Sequence, residues 1–229
     1  MIGRAAIGAF IAAALLIASP AGAESARDLL TSAAFASSDR AAALAKVEAA
    51  LREANAALAR KPNDHEALLQ QAIAIGYRGK LKRSAADAKT ARRAFEALVA
   101  ARPRDPEAQL ALGGWHLAAI VEIGPLLART VLGARKGPGI QSVDRAVALG
   151  GGRALFPAYA SMLRIRVDPN DVATARRLAE AATKARATTT LDRIMQRHAA
   201  ALLVPLRAGN GKAAAALAKK LSPFGRIAA

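Results

Sequence analysis

The chain has 229 residues, with 34 Lys and Arg against 17 Asp and Glu, a formal net charge of +17, and no cysteine. Alanine alone supplies 63 residues and aromatics only 3%, a bias toward helix formers that argues against a β-sandwich or barrel. Lack of cysteine excludes a disulfide framework, a cysteine nucleophile, a thiolate metal site and a lipid-modified N-terminal Cys.

Residues 1–23 read as an export leader rather than as fold. Arg4 is the positive start, Ala5 to Ala18 an unbroken apolar run, Ser19-Pro20 a break, and Ala21-Gly22-Ala23 a small-x-small cleavage site. Fourteen apolar residues fall short of the ~20 that a membrane span needs. The expectation is a soluble periplasmic protein that begins at Glu24 and forms one domain over residues 24–229. Losing the leader removes one basic residue, Arg4, and leaves a charge of +16.

Beyond Glu24 the chain parses into paired amphipathic helices. In Arg40–Arg60, Leu44, Val47, Leu51, Ala54 and Leu58 recur at spacings of 3 and 4 and form one stripe. Asp64 is placed to cap a second helix, rich in apolar residues around its circumference. Gly76 to Arg83 reads as a basic turn, and Ser84-x-x-Asp87 as a capping box ahead of Ala88, Ala91, Phe95 and Leu98. Asp105 caps the next helix, with Pro106 at its first position, where the missing N–H costs nothing. Gly124-Pro125 interrupts that helix, and Leu117 to Leu132 is expected as a buried or interface helix, with Gly133–Gly139 as a loop. Further helices are predicted over Gln141–Leu149, Ala154–Val167, Asp171–Arg186, Leu191–Leu206 and Gly211–Leu221, with Thr189-x-x-Asp192 as a second capping box and no strand. Trp115, Phe95, Phe156 and Tyr159 are the expected anchors of an alanine-rich core.

The boundaries repeat. Ala50-x3-Ala54 followed by Pro62, and Ala91-x3-Phe95 followed by Pro103, show the same two steps, and Leu112-Gly113 adds a third match. These residues resemble the tetratricopeptide repeat (TPR), although Pro62 to Pro103 is 41 residues against ~34 in that repeat. The resemblance is best over 40–150 and gives way to divergent helical hairpins over 151–221. The stretch from Leu112 through Trp115-His116 and Gly124–Arg129 to Ala146 is also similar to a group of exported bacterial TPR-like proteins. A fainter resemblance is to the TPR-type accessory subunit of TRAP solute transporters.

The resemblance implies an all-α superhelix of about 4 to 5 helix pairs whose first helices line a concave groove. The residues facing that groove would be Glu66, Leu69, Ile73 and Tyr77, then Glu107, Leu110, Gly114 and Leu117, with His116 beside them. The seven extra residues are expected in the basic turn. The Lys/Asn/Arg clamp by which some TPR domains hold a carboxylate tail is missing from these positions. The expected occupant is therefore an unidentified protein partner meeting an apolar surface, with a second copy of the chain as a further candidate.

Catalytic patterns are wanting. No H-E-x-x-H, G-x-S-x-G or Ser-x-x-Lys motif occurs, the Gly133–Gly139 loop lacks a P-loop ending, and no pair of carboxylates stands apart. His65 lies in the first turn of a helix, and His198 shares a stripe with Leu191, Ile194, Met195 and Leu202, a core-edge position. No enzyme activity, cofactor or metal is expected. The basic residues Arg78, Lys80, Lys82, Arg83, Lys89, Arg92 and Arg93 face Asp87 alone, without the interleaved aromatics that single-stranded nucleic acid requires. They are expected as a solvated face or, alternatively, as a site for anionic envelope surfaces. A small hydrophobic ligand held near Ile123–Leu132 is the remaining alternative.

Overall fold

The computed structural model describes residues 24–227; the predicted leader lies outside them. The described residues form eleven α-helices and one π turn, with no strand and a single isolated bridge between Arg153 and Arg186. The helices are α1 (Ala26–Phe35), α2 (Arg40–Arg60), α3 (His65–Lys82), α4 (Ala85–Ala101), α5 (Pro106–Ile123) and the short α6 (Pro125–Leu127). After the π turn (Ala128–Leu132) come α7 (Lys136–Leu149), α8 (Leu155–Val167), α9 (Val172–Lys184), α10 (Thr190–Arg207) and α11 (Gly211–Leu221). The all-α prediction holds, and α1 is a helix that the sequence reading did not assign.

Side-chain caps start these helices where the sequence places them. Asp64 accepts from the Ala67 N–H at 3.1 Å and Asp105 from the Glu107 N–H at 2.8 Å, satisfying amides that the helix itself leaves unpaired. The Thr189–Asp192 capping box is complete. At Ser84 only half of the box forms: its hydroxyl accepts from the Asp87 N–H, while the Asp87 carboxylate accepts from Nη2 and Nε of Arg78 at 2.7 and 2.8 Å. A bidentate charged partner outcompetes a backbone amide for the same oxygens.

Two predicted loops are helix. Gly76 to Arg83 continues α3 to Lys82, so this stretch extends a helix rather than forming a turn. Its glycines serve a helix contact: a Cβ on Gly79 would lie 3.0 Å from the Asp87 Cβ and 3.1 Å from the Ala88 amide. Likewise α7 begins at Lys136 and absorbs Gly137, Pro138 and Gly139. Pro138 sits in the first turn, where no hydrogen bond is lost, and Gly139 lets α7 approach Leu117 of α5.

Each helix packs on its chain neighbour: α1 on α2, α3 on α4, α5 on α7, α8 on α9 and α10 on α11. The first members also touch in series, α1 on α3, α3 on α5, α5 on α8 and α8 on α10. The largest core cluster gathers Phe156, Met162, Ile165, Met195, Leu202 and Leu206 with alanines of α9 and α11. Phe95 and Phe156 are buried as expected, while Trp115 and Tyr159 pack only partly buried against neighbouring clusters. Two contacts break the simple succession. α11 folds back onto α8, and the segment after it returns to the start of the chain, where the Phe224 N–H donates to the Ala34 carbonyl at 2.8 Å.

Candidate functional site

The face predicted to be an open groove is closed. Leu69, Leu110 and Leu117 are buried in three separate core clusters, and Gly114 lies under the Tyr159 ring, 3.2 Å from where a Cβ would stand. Ile73 packs within the core clusters around it. Tyr77 meets the Phe224 ring edge-on at a centroid distance of 4.9 Å, and burial pushes its phenol well above the ordinary value. The cause is length and closure: α8 and the C-terminal segment supply apolar partners for a surface that an open stack would leave to solvent.

The two acids of that face are taken by arginines. Arg27 of α1 bridges Glu66 and Glu107, both at 2.7 Å. Arg153, between α7 and α8, joins Glu107 at 2.7 Å to Asp192 at 3.2 Å. Asp192 is fully buried and also accepts from the Thr188 and Thr189 hydroxyls and the Thr189 and Leu155 amides. Burial works to raise its carboxyl, but the Thr189 and Thr188 bonds and Arg153 outweigh it and hold the group below its ordinary value. One chain of charge thus ties α1, α3, α5 and α10 together. Sequence spacing signalled the caps but not this network, because Arg27 and Arg153 lie in segments without any motif.

His116 is buried. Its Nδ1 accepts the Arg135 N–H at 3.3 Å, and its ring meets Trp115 edge-on. Burial, with Arg92 and Arg135 nearby, lowers its pKa to about 4, and burial with Arg226 and Arg197 does the same for His198. Both rings are neutral packing groups at pH 7. His65 contacts Asp105 at 2.5 Å across the α3–α5 boundary.

The basic stretch is divided among structural tasks. Arg78 is held by Asp87, Lys82 by Glu48 at 2.8 Å, and Lys80 by Glu122 and the Pro223 carbonyl, each at 3.2 Å. Arg92 lies over Trp115 and donates to the Leu132 carbonyl at 2.8 Å. Arg83 ends α3 in a left-handed conformation, and Lys89 and Arg93 stay exposed. The seven cations therefore form no single face, since helix neighbours three and four apart point them to different partners.

What stands open is the connection from α5 to α7. Among the described residues the large exposed apolar side chains are Ile123 at 41%, Leu126 at 73%, Leu127 at 54% and Val131 at 42%, together with Val204 at 74% on α10. Gly124, at φ +82°, releases the chain from α5, and Pro125 starts a new turn without needing an N–H partner. The π turn follows. It is anchored by buried Ala128 and Ala134 and closed by Gly133 at φ +74°, with the Arg92 guanidinium packed against it. With its small residues inward and its large ones outward, this tip reverses the burial expected for Leu117–Leu132 beyond Ile123.

Beside it lies a shallow cleft of about 440 Å³, lined by Ile120, Pro125, Arg129, Ala134, Arg135 and Lys136. Arg129 and Arg135 have no carboxylate within 4 Å among the described residues, and Lys136 reaches Asp168 only at 3.9 Å. The nearest acid on the tip, Glu122, is engaged by Lys80 and by Arg166 at 2.9 Å. The described residues include no group of three metal-ligating side chains and no helix long and apolar enough to cross a membrane. Compared with known protein families, characterised proteins and solved structures, this chain matches none.

Proposed function

We propose that this protein is a non-catalytic binding module, a stack of TPR-like helical hairpins exported to the periplasm by the leader at residues 1–23. It engages its partner through the tip between α5 and α7. Support for the stack comes from the series of helix contacts, in which each first helix touches its own second helix and the next first helix. The observation that carries the docking role is that four of the five large exposed apolar side chains fall within nine residues, Ile123 to Val131. An apolar cluster rimmed by polar groups on an otherwise charged surface marks an interaction site. The groove named by the resemblance is not the docking surface of this reading, because the chain's own C-terminal half fills it.

Site-specific photo-crosslinking in cells tests the proposal. A photoreactive residue at position 126 is expected to give a discrete adduct, and one at exposed Ala59 on α2 none. Equal labelling at both positions, or none at 126, overturns the reading. Mass mapping of the accumulated protein is expected to find Glu24 as its first residue; an intact Met1 would refute export.

A further inference from the structure

The tip carries two chemistries side by side, and together they select a ligand. Leu126, Leu127 and Val131 project from a surface that is otherwise charged, 73%, 54% and 42% exposed. In the adjoining shallow cleft three cations, Arg129, Arg135 and Lys136, stand among apolar Ile120, Pro125 and Ala134. Two of those cations lack a carboxylate partner among the described residues, and the third has only a distant one. Glu122, the acid that would otherwise repel an anion here, is neutralised from two sides by Lys80 and Arg166.

From this arrangement we infer that the tip docks on the surface of an anionic phospholipid bilayer, an assignment that rests on the docking role proposed above. Leu126, Leu127 and Val131 enter the boundary between headgroups and acyl chains, and Arg129, Arg135 and Lys136 hold the phosphates. A bilayer satisfies both requirements at once, because its acyl chains lie directly beneath a layer of phosphates. A second copy of the chain does not, because after loss of the leader it would bring a formal charge of +16 against the same sign. Rigid backbone supports the insertion. The π turn is closed by the Ala134 N–H to the Ala128 carbonyl at 2.9 Å, and the Leu132 carbonyl is held by Arg92, so little ordering remains to be done on binding.

The absence of cysteine makes a clean experiment available. Protein purified in the form that cells accumulate is labelled with an environment-sensitive fluorophore through Leu127→Cys or, as control, Val204→Cys. Each is titrated with vesicles of phosphatidylcholine alone or with 30 mol % phosphatidylglycerol (about a third anionic lipid). The expected result is a blue-shifted, several-fold brighter signal at 127 with anionic vesicles only, and no change at 204. Replacing Arg129, Arg135 and Lys136 by Gln should weaken vesicle affinity about a hundredfold. Leu126→Ser with Val131→Ser should abolish the blue shift while the circular dichroism spectrum stays unchanged. A silent label at 127, an equal response on neutral vesicles, or undiminished binding by the Gln variant overturns the lipid assignment. A discrete protein adduct from position 126 in cells, with no vesicle response, would also overturn it while leaving the docking reading intact.

Discussion

The shared face of α3 and α5 and the tip between α5 and α7 reverse the roles that their sequences suggest. The face has the apolar residues and the glutamates of an open groove, yet Leu69, Leu110 and Leu117 are buried and Glu66 and Glu107 are locked to Arg27 and Arg153. The tip has the run of apolar residues of a buried helix, yet Leu126, Leu127 and Val131 stand in solvent. Local hydrophobicity is alike in the two. The difference lies in what the rest of the chain brings to each: α8 and the C-terminal segment close over the face, whereas the tip's large side chains are left exposed.

If the closed face is held by its charge network and the C-terminal segment, the largest effect should come from Asp192→Ala. This change removes the carboxylate half of the α10 capping box and leaves Arg153 short of a partner, and we expect a loss of about 3–5 kcal/mol, read as a fall of roughly 10 °C in Tm. A loss under ~1 kcal/mol would show that the network does not hold the face shut. Phe224→Ala removes the ring that covers Tyr77 and should cost about 2–3 kcal/mol. It should also raise Tyr77 exposure, measurable as a phenol that titrates at lower pH than in the parent.

Acid tests the same packing by another route. His116 and His198 titrate at about 4 in the folded chain and near 6.5 when unfolded. Between those values the unfolded chain binds more protons, so stability is fully present above pH 6.5 and falls as the pH drops toward 4. Tm should decline by roughly 10 °C from pH 7 to 4.5, and His116→Asn with His198→Asn should flatten that slope. Below pH 4 the loss should steepen, because the Asp192, Asp87 and Glu122 carboxyls, all held below their ordinary values, then take up protons. At the far end of the scale, Leu126→Ser with Val131→Ser should change stability by no more than ~0.5 kcal/mol. A larger loss would mean that the tip belongs to the core after all.

Short-range chemistry was legible from the sequence. Helix content, the caps at Asp64, Asp105 and Thr189, the 3–4 spacing of the stripes and the bounds of α2 and α11 all follow from contacts a few residues apart, which side-chain identity fixes wherever the chain is placed. Glycine was ambiguous. At Gly124 and Gly133 it breaks the chain at positive φ, but at Gly79 and Gly139 it makes room for a neighbouring helix. Local sequence cannot separate those uses, since the deciding atom belongs to another element.

Only the tertiary structure decided which apolar surface is covered. Burial is a property of pairs of distant segments: Phe224 reaches Tyr77, Arg27 reaches Glu107, and α11 returns to α8. The free energy of hiding a leucine is similar wherever it is hidden. The sequence therefore determined how many such side chains need shelter, and the path of the folded chain determined that Leu117 has it and Leu126 does not.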